Sequence, residues 1–350
     1  MTNFKNLNRK ITYWVSILLA QFFLFYFLSN TSFGVRLANT IFELKKKIHQ
    51  TIFSISNFSI GDLFYISLFI YLVVIIYKIL RKKTRHRYII KLLKIVNILY
   101  FIYQIFWGLL YFQSPIIEKL PTKKISEETL SKLTLKYIHK TNTTRNYVSQ
   151  DKNGIFYLKN LEETKNEILE NQRKIPRKYS NKRYLLIDNF KPTLFGKYFS
   201  YTGILGYYNP FTSEAQYNPR LPATYIPFTL AHESAHQLGF AREQEANFIA
   251  YLICKNSNNP ELEYSANLYV LKSLLNAQLE KNPEFVGQAK LFLSDAVKRD
   301  LEYNKIFYEQ HQGWINNLFY ATNDLFLKSN RQEGSITYSY FIELLVRYEN

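Results

Sequence analysis

The chain has 350 residues, 47% of them hydrophobic, and a formal net charge of +18. Residues 1–113 carry 15 Lys and Arg side chains against only Glu43 and Asp62, which leaves a net charge of +5 for the rest. The basic excess therefore accompanies an apolar N-terminal region and not a folded basic domain, so we expect no nucleic-acid partner. The single cysteine, Cys254, excludes an intramolecular disulfide.

Three apolar stretches near the N-terminus each approach the length of about 20 residues that a helix needs to cross a bilayer. They cover residues 11–28, 60–80 and 95–112. No small-residue cleavage site follows the first stretch, so we expect a retained span and not a signal peptide. Residues 1–113 are therefore predicted to be a membrane anchor of three transmembrane helices embedded in the lipid bilayer.

The basic loop Arg81–Arg87 is the densest positive cluster in the chain. Short loops rich in Lys and Arg stay in the cytoplasm, which predicts a cytoplasmic N-terminus and an extracytoplasmic domain after the third span. Lys5, Arg9 and Lys10 agree with this orientation. The run Lys45–Lys47, in the predicted outer loop after the first span, argues mildly for the opposite one.

Residues 114–350 contain no Ser/Gly linker and no repeat, and we expect one α-rich α+β domain with a small β-sheet. Capping residues, apolar patterns and turn residues predict its elements. The predicted helices are 126–140, one beginning after Asn160, 227–238, 241–254, 262–280, 283–309 and 339–347, and the predicted strands are 184–188, 204–208 and 215–217.

The segment His232-Glu233-Ser234-Ala235-His236 has the HExxH pattern. Histidines four residues apart lie on one face of a helix, so both imidazoles can bind one zinc ion. Glu233 is placed to act as general base towards metal-activated water. Pro227 can begin this helix and Gly239 can end it in a left-handed turn, which would let the chain return to the metal.

Glu243 and Glu245 are the candidates for the third zinc ligand, and they point to opposite sides of the next helix. We favour Glu243, because Asn247 lies four residues later on the same face and can hydrogen-bond a ligand histidine. Gly239 also permits a metzincin pattern, but that pattern puts its third ligand at Arg242, which cannot bind zinc.

The pair Glu243 and Asn247 resembles the Glu-x-x-x-Asp segment of gluzincin zinc peptidases, with Asn in place of Asp. A longer resemblance is carried by Tyr207–Ala215, Pro227–Thr229, His232–Cys254 and Glu263–Ser265. It is a resemblance to the bacterial domain-of-unknown-function 3810 family of membrane-anchored HExxH proteins. The gluzincin resemblance implies a metallopeptidase domain in which the Tyr207–Tyr217 region is the edge for a peptide substrate.

These features predict a membrane-anchored zinc-dependent peptidase of the bacterial cell membrane, with a peptide or protein substrate. Its metal ligands would be His232, His236 and Glu243, with Glu233 as base and Asn247 behind a ligand histidine. Two alternatives remain open: a non-catalytic zinc-binding membrane sensor, and a metal-dependent amidase or esterase acting on a non-peptide substrate. A fourth protein ligand would favour the sensor, because catalytic zinc leaves that position to water.

Overall fold

The computed structural model describes residues 2–123, 125–255, 257–329 and 340–349. The chain forms two compact units. The first comprises residues 1–113 together with Asn209–Ser213, and the second comprises residues 114–208 and 214–350. The short segment Asn209–Ser213 thus belongs to the first unit, although it lies far along the chain within the predicted outer domain.

The described residues of the first unit form four α-helices. They are α1 (Thr2–Ser29), α2 (Ser32–Phe53), α3 (Ile60–Leu80) and α4 (Arg85–Phe106). Within the described residues, three helical segments are long and apolar enough to cross a membrane: Leu7–Ser29, Ile60–Leu80 and Arg85–Phe106. The prediction of three apolar N-terminal helices is therefore confirmed. The third begins ten residues before the predicted start and ends at Phe106, where a 3₁₀ turn, Gly108–Phe112, follows.

Helix α2 occupies the stretch that we expected to be an outer loop. Thr31 caps it by accepting a hydrogen bond from the Gly34 N–H, 3.1 Å away. Its buried face carries Lys45 and Lys46, while Leu44 and Ile48 are exposed. Because the charged side chains point inward, the lysine run does not form a solvated basic loop.

The second unit is mainly helical and contains one small sheet, as predicted. Its helices are α5 (Glu127–Arg145), α6 (Leu161–Asn171), α7 (Gly196–Thr202), α8 (Ile226–Leu238), α9 (Glu243–Cys254), α10 (Pro260–Leu279), α11 (Pro283–Leu291), α12 (Asp295–Gln310), α13 (Trp314–Ser329) and α14 (Tyr340–Glu349). The start of the last predicted helix, Ser339, lies outside the described residues. Helices α5, α8, α9, α10 and α14 surround a core whose largest fully buried side chains include Tyr137, Phe248, Tyr264 and Phe341.

The sheet has the strand order β1-β3-β2, with β1 (Phe190–Pro192), β2 (Gly206–Tyr208) and β3 (Ala215–Tyr217). β1 pairs with β3 in parallel, and β2 pairs with β3 antiparallel, with Tyr207 opposite Gln216. β2 is therefore an edge strand. The predicted hairpin around Asn209-Pro210 is present, with strands of three residues each.

Two predicted elements differ from the structure. Tyr184–Asp188 is irregular and not a strand, and the Leu185 N–H donates to the side-chain oxygen of Gln172 instead of to a neighbouring strand. The strand begins at Phe190. The single predicted helix 283–309 is two helices, because Ser294 accepts a hydrogen bond from the Val297 N–H and caps a new helix.

Candidate metal centre

Helix α8 carries the HExxH segment. Pro227 lies in its first turn, where the missing N–H costs no helical hydrogen bond. The rings of His232 and His236 lie on one face, perpendicular to each other, with centroids 4.7 Å apart. Gly239 ends the helix with φ = +97°, a left-handed conformation that favours glycine, and donates its N–H to the His236 carbonyl over 2.8 Å. The predicted reversal is therefore present and leads into α9.

Glu243, the first residue of α9, meets both histidines. Its Oε2 is 3.2 Å from Nε2 of His232, and its Oε1 is 3.6 Å from Nε2 of His236. One ligand atom from each of the three residues lies within 4.8 Å of the others. Two donors bound tetrahedrally to one zinc ion at ordinary bond lengths are separated by about 3.3 Å. The observed separations thus fit a zinc site.

Hydrogen bonds on the far side of each imidazole fix which nitrogen faces the cluster. The Nδ1–H of His232 donates to Oδ1 of Asn247 over 2.7 Å, and the Nδ1–H of His236 donates to the Phe240 carbonyl over 2.6 Å. Both Nε2 atoms therefore face the cluster, where they could donate electron pairs to a metal ion. Asn247 was expected from its spacing. Phe240 was not, because it acts through its backbone, although its place directly after Gly239 is a usable signal.

Glu233 lies beside the cluster in a buried position. Among the described residues its Oε2 has no hydrogen-bond partner, which is unusual for a buried carboxylate and leaves an acceptor ready for water or substrate. Burial raises the pKa of Glu233 to about 7, with the Glu243 charge in support and the charges of His232 and His236 in opposition. A carboxyl with such a pKa suits general-base work near neutrality.

Gly206 in β2 provides the space for the Glu233 carboxylate. A Cβ on Gly206 would lie 2.7 Å from the Gln216 carbonyl oxygen, and 2.9 Å from both Oε1 of Glu233 and Cγ2 of Thr229. The edge strand therefore passes directly beside the candidate base, at a position that excludes a larger residue. The sequence places Gly206 in a strand but gives no sign of this close approach.

The electrostatics of the cluster favour a cation. Burial lowers the pKa of His236, but the Glu243 carboxylate outweighs burial and raises it to about 9. Burial raises the pKa of Glu243, but His236 and His232 together hold it well below its ordinary value. Two carboxylates and two imidazoles in one partly buried cluster thus stabilise bound positive charge, which is the chemistry that a metal ion uses.

Glu245, the other candidate for the third ligand, faces away from the histidines. Its Oε1 accepts a hydrogen bond from the Ile116 N–H over 2.9 Å and pairs with Arg242 over 3.0 Å. This carboxylate therefore has a structural role at the start of α9, and Glu243 is the residue that the fold brings to the cluster.

The fold and the site define a class of protein in which a mainly helical domain carries a His-His-Glu cluster and is joined to helices that can cross a membrane. A sequence model of one family, described as a protein of unknown function (DUF3810), matches residues 37–346. The chain belongs to the DUF3810 family. No curated protein and no solved structure matches the chain.

Proposed function

We propose that this chain is a membrane-anchored, zinc-dependent peptidase. The observation that carries the proposal is the convergence of Nε2 of His232, Nε2 of His236 and the Glu243 carboxylate within 4.8 Å, with the partnerless Oε2 of Glu233 beside them. Two histidines and a glutamate are the donors of the catalytic zinc sites in one large group of peptidases.

The number of donors supports an enzyme over the sensor alternative. Within the part of the chain that the structure describes, the cluster contains three metal-ligating side chains. Catalytic zinc sites use three protein ligands and keep one position open, whereas structural sites are closed by a fourth.

In the proposed reaction, His232, His236 and Glu243 would hold the zinc ion. When bound, zinc would polarise the substrate carbonyl and lower the pKa of a water molecule. Glu233 accepts the proton of the attacking water at Oε2 and returns it to the leaving amine. Asn247 and the Phe240 carbonyl keep both imidazoles oriented throughout, because each accepts an Nδ1–H.

The position of β2 supports a peptide as the substrate. β2 is at the edge of the sheet, and Gly206 within it lies beside Glu233. An extended peptide that adds to this edge as a further strand would run past the base, with its backbone held by strand pairing. This arrangement favours peptide hydrolysis over cleavage of a compact non-peptide amide or ester.

The proposed location of the active domain is extracytoplasmic. The basic turn Arg81–Thr84 joins α3 to α4, two of the three helices that can cross a membrane, and the first turn of α4 is basic as well. Positive loops remain on the cytoplasmic side, so the chain beyond α4 would lie outside. The inward-facing side chains of Lys45 and Lys46 weaken the one sequence feature that favoured the opposite orientation.

The activity is tested with the full chain in detergent micelles and a denatured-protein library. We expect new N-termini to appear with the native chain, cleavage to stop on chelation and return with zinc, and Glu233→Gln to lower the rate by about 10²- to 10⁴-fold. Equal cleavage by the native chain and Glu233→Gln would refute the mechanism. Ester or amide hydrolysis without peptide cleavage would favour the non-peptide alternative.

A further inference from the structure

We propose that helix α2 lies in the surface of the lipid bilayer, with a stripe of five apolar side chains inserted among the acyl chains. This apolar stripe consists of Phe33, Leu37, Leu44, Ile48 and Ile52. Three of the four described α-helices of the first unit are long and apolar enough to cross a membrane, and α2 is the fourth. The inference concerns the first unit alone and is independent of the proposed function.

The apolar stripe faces away from the protein. Its members are between 41% and 63% exposed. They recur at intervals of four and seven residues, so they line one side of the helix. The neighbouring edge carries Arg36, Thr40 and Lys47, which are exposed as well and recur at the same intervals. An apolar stripe bordered by basic side chains is the pattern of a helix that lies in a membrane interface.

Another side of α2 packs against α1 and α4 where those two helices end. Gly34 approaches the last turn of α1 so closely that a Cβ on it would overlap the Leu28 carbonyl. Further along α2, the ring of His49 lies 5.5 Å from that of Phe106, the last residue of α4. One end of α2 therefore meets α1, and a point near its other end meets α4.

Helices α1 and α4 run in the same direction and end at the same level. Nε2 of Gln21 donates a hydrogen bond to Oδ1 of Asn97 over 3.2 Å, and one turn further the rings of Phe25 and Phe101 lie 5.6 Å apart. Beyond this ring pair α1 continues for four residues and α4 for five. Their ends therefore differ in level by about 1.5 Å.

Helix α2 accordingly lies across the ends of α1 and α4 and not alongside them. Its contacts at Gly34 and His49 are 15 residues apart, which is about 22 Å along the axis of α2. A helix that ran alongside α1 and α4 would meet partners separated in level by that distance. The two membrane-crossing segments end at Ser29 and Phe106, so α2 lies at the level where they leave the bilayer.

Lipid is the cover that the chemistry of α2 favours at this level. The apolar stripe carries no charge, which suits acyl chains. Arg36 and Lys47 lie on the edge beside it, and their long side chains can reach the negatively charged phosphates of the headgroups. The apolar stripe and the basic edge thus adjoin in the same order as the acyl chains and the phosphates of one leaflet.

The experiment places a nitroxide label on single cysteines of the full chain in phospholipid nanodiscs. Cys254 is buried, so introduced exposed cysteines should take the label, and the native chain treated in the same way gives the background. Power saturation compares collisions with oxygen, which concentrates among acyl chains, and with a water-soluble nickel chelate. We expect the oxygen-to-nickel ratio to be several-fold higher in Leu44→Cys and Ile48→Cys than in Lys47→Cys, the matched control on the basic edge.

Two further positions calibrate the ratio. Phe69→Cys, at an exposed position of α3, gives the value for lipid, and Leu186→Cys, an exposed leucine of the second unit, gives the value for water. A ratio in Leu44→Cys and Ile48→Cys equal to that in Leu186→Cys would overturn the inference, because the apolar stripe would then face water. Either of the two variants decides this if the other fails to fold.

Exclusion of both oxygen and nickel from the apolar stripe would also overturn the inference, because it would show a cover of protein, such as a second copy of the chain. Neither collision rate depends on zinc or on peptide cleavage. A chain without peptidase activity whose apolar stripe collides with oxygen therefore supports the interfacial helix and refutes the proposed function alone.

Discussion

At the residue scale, the hydrogen bond made by one nitrogen of each imidazole determines which nitrogen faces the cluster. Asn247 and the Phe240 carbonyl take the Nδ1–H groups, so both Nε2 atoms converge on the Glu243 carboxylate. Among the described residues, Oε2 of Glu233 has no hydrogen-bond partner. The proposed ligands and the proposed base are therefore distinguished by their hydrogen bonds and not by residue type alone.

Asn247 is expected to set the strength of metal binding. Asn247→Leu removes the acceptor for His232 and should weaken zinc affinity about 10- to 100-fold, because an imidazole without an outer partner loses its fixed orientation. Asn247→Asp keeps an acceptor and should retain zinc. Competition with a chromophoric chelator measures the affinity. Asn267→Leu, a buried asparagine bonded to Thr144 instead of the cluster, is the control; equal losses in both leucine variants would contradict the assignment.

Gly206 is expected to be intolerant of any side chain. In Gly206→Ala, the new methyl group would lie 2.7 Å from the Gln216 carbonyl oxygen and 2.9 Å from the Glu233 carboxylate, so strand β2 and the carboxylate must shift apart, and kcat should fall by at least about tenfold while zinc content stays the same. Gly287→Ala is the matched control, since a Cβ there has no neighbour within 4 Å. Steady-state kinetics of the two variants check this, and full activity in Gly206→Ala would show that β2 is not close to the base.

The chemically active side chains are the part of the site that sequence reasoning reaches. His232, Glu233 and His236 follow from spacing on one helix, and Glu243 follows from a face shared with Asn247. Phe240 and Gly206 escape the same reasoning because one contributes a carbonyl and the other contributes the absence of a side chain. Residue types do not encode either contribution.

At the element scale, α9 carries Glu243 and Asn247 and is tied to α5 and α14 at its other end. Tyr137 of α5 donates to the hydroxyl of Tyr251, and Tyr251 donates to Glu349 of α14. Glu349 also pairs with Lys136 over 2.5 Å and with Lys255 over 2.6 Å. The Glu349 carboxylate thus joins helices α5, α9 and α14.

The stability of this junction should depend on pH. Burial raises the pKa of Glu349, but hydrogen bonds from Lys136, Lys255 and Tyr251 outweigh it and lower the pKa to about 2. Because the folded-state pKa is the lower one, the stabilisation is present above the unfolded-state pKa of about 4.3 and is lost as pH falls toward 2.

Glu349→Gln should accordingly lower the free energy of unfolding by about 1–3 kcal/mol at pH 7, with the difference from the native chain shrinking below about pH 4. Denaturant unfolding in detergent across this range measures the difference. Glu128→Gln removes the exposed pair with Lys132 and should have little effect. A difference for Glu349→Gln that does not change between pH 7 and pH 3 would contradict the assignment.

Elements with their own capping residues are the ones that the sequence predicts well. The helices after Ser126 and Asn160 begin where a capping side chain accepts an N–H. The failures are elements decided by distant partners. Tyr184–Asp188 has a strand-like composition but lies outside the described strand, which begins at Phe190. In α2 the run of lysines suggests an exposed loop, although Lys45 and Lys46 are buried.

At the scale of the whole molecule, the chain combines helices that can cross a membrane with a unit that carries the His-His-Glu cluster. The orientation proposed for this combination has a direct test. A reporter enzyme that works only outside the cytoplasm should be active when it is fused after Asn350, and one that works only in the cytoplasm should be inactive there. The reason is that the basic turn at Arg81–Thr84 stays in the cytoplasm. A reporter active only in the cytoplasm would reverse the orientation.

The central claim, that three named residues hold one zinc ion, is tested most directly by the zinc-to-protein ratio of the purified full chain. The account predicts about one zinc ion in the native chain, in Glu233→Gln and in Glu245→Gln, and less than about 0.1 in His236→Ala and in Glu243→Ala. Unchanged zinc in His236→Ala or Glu243→Ala, or its loss in Glu245→Gln, would contradict the account.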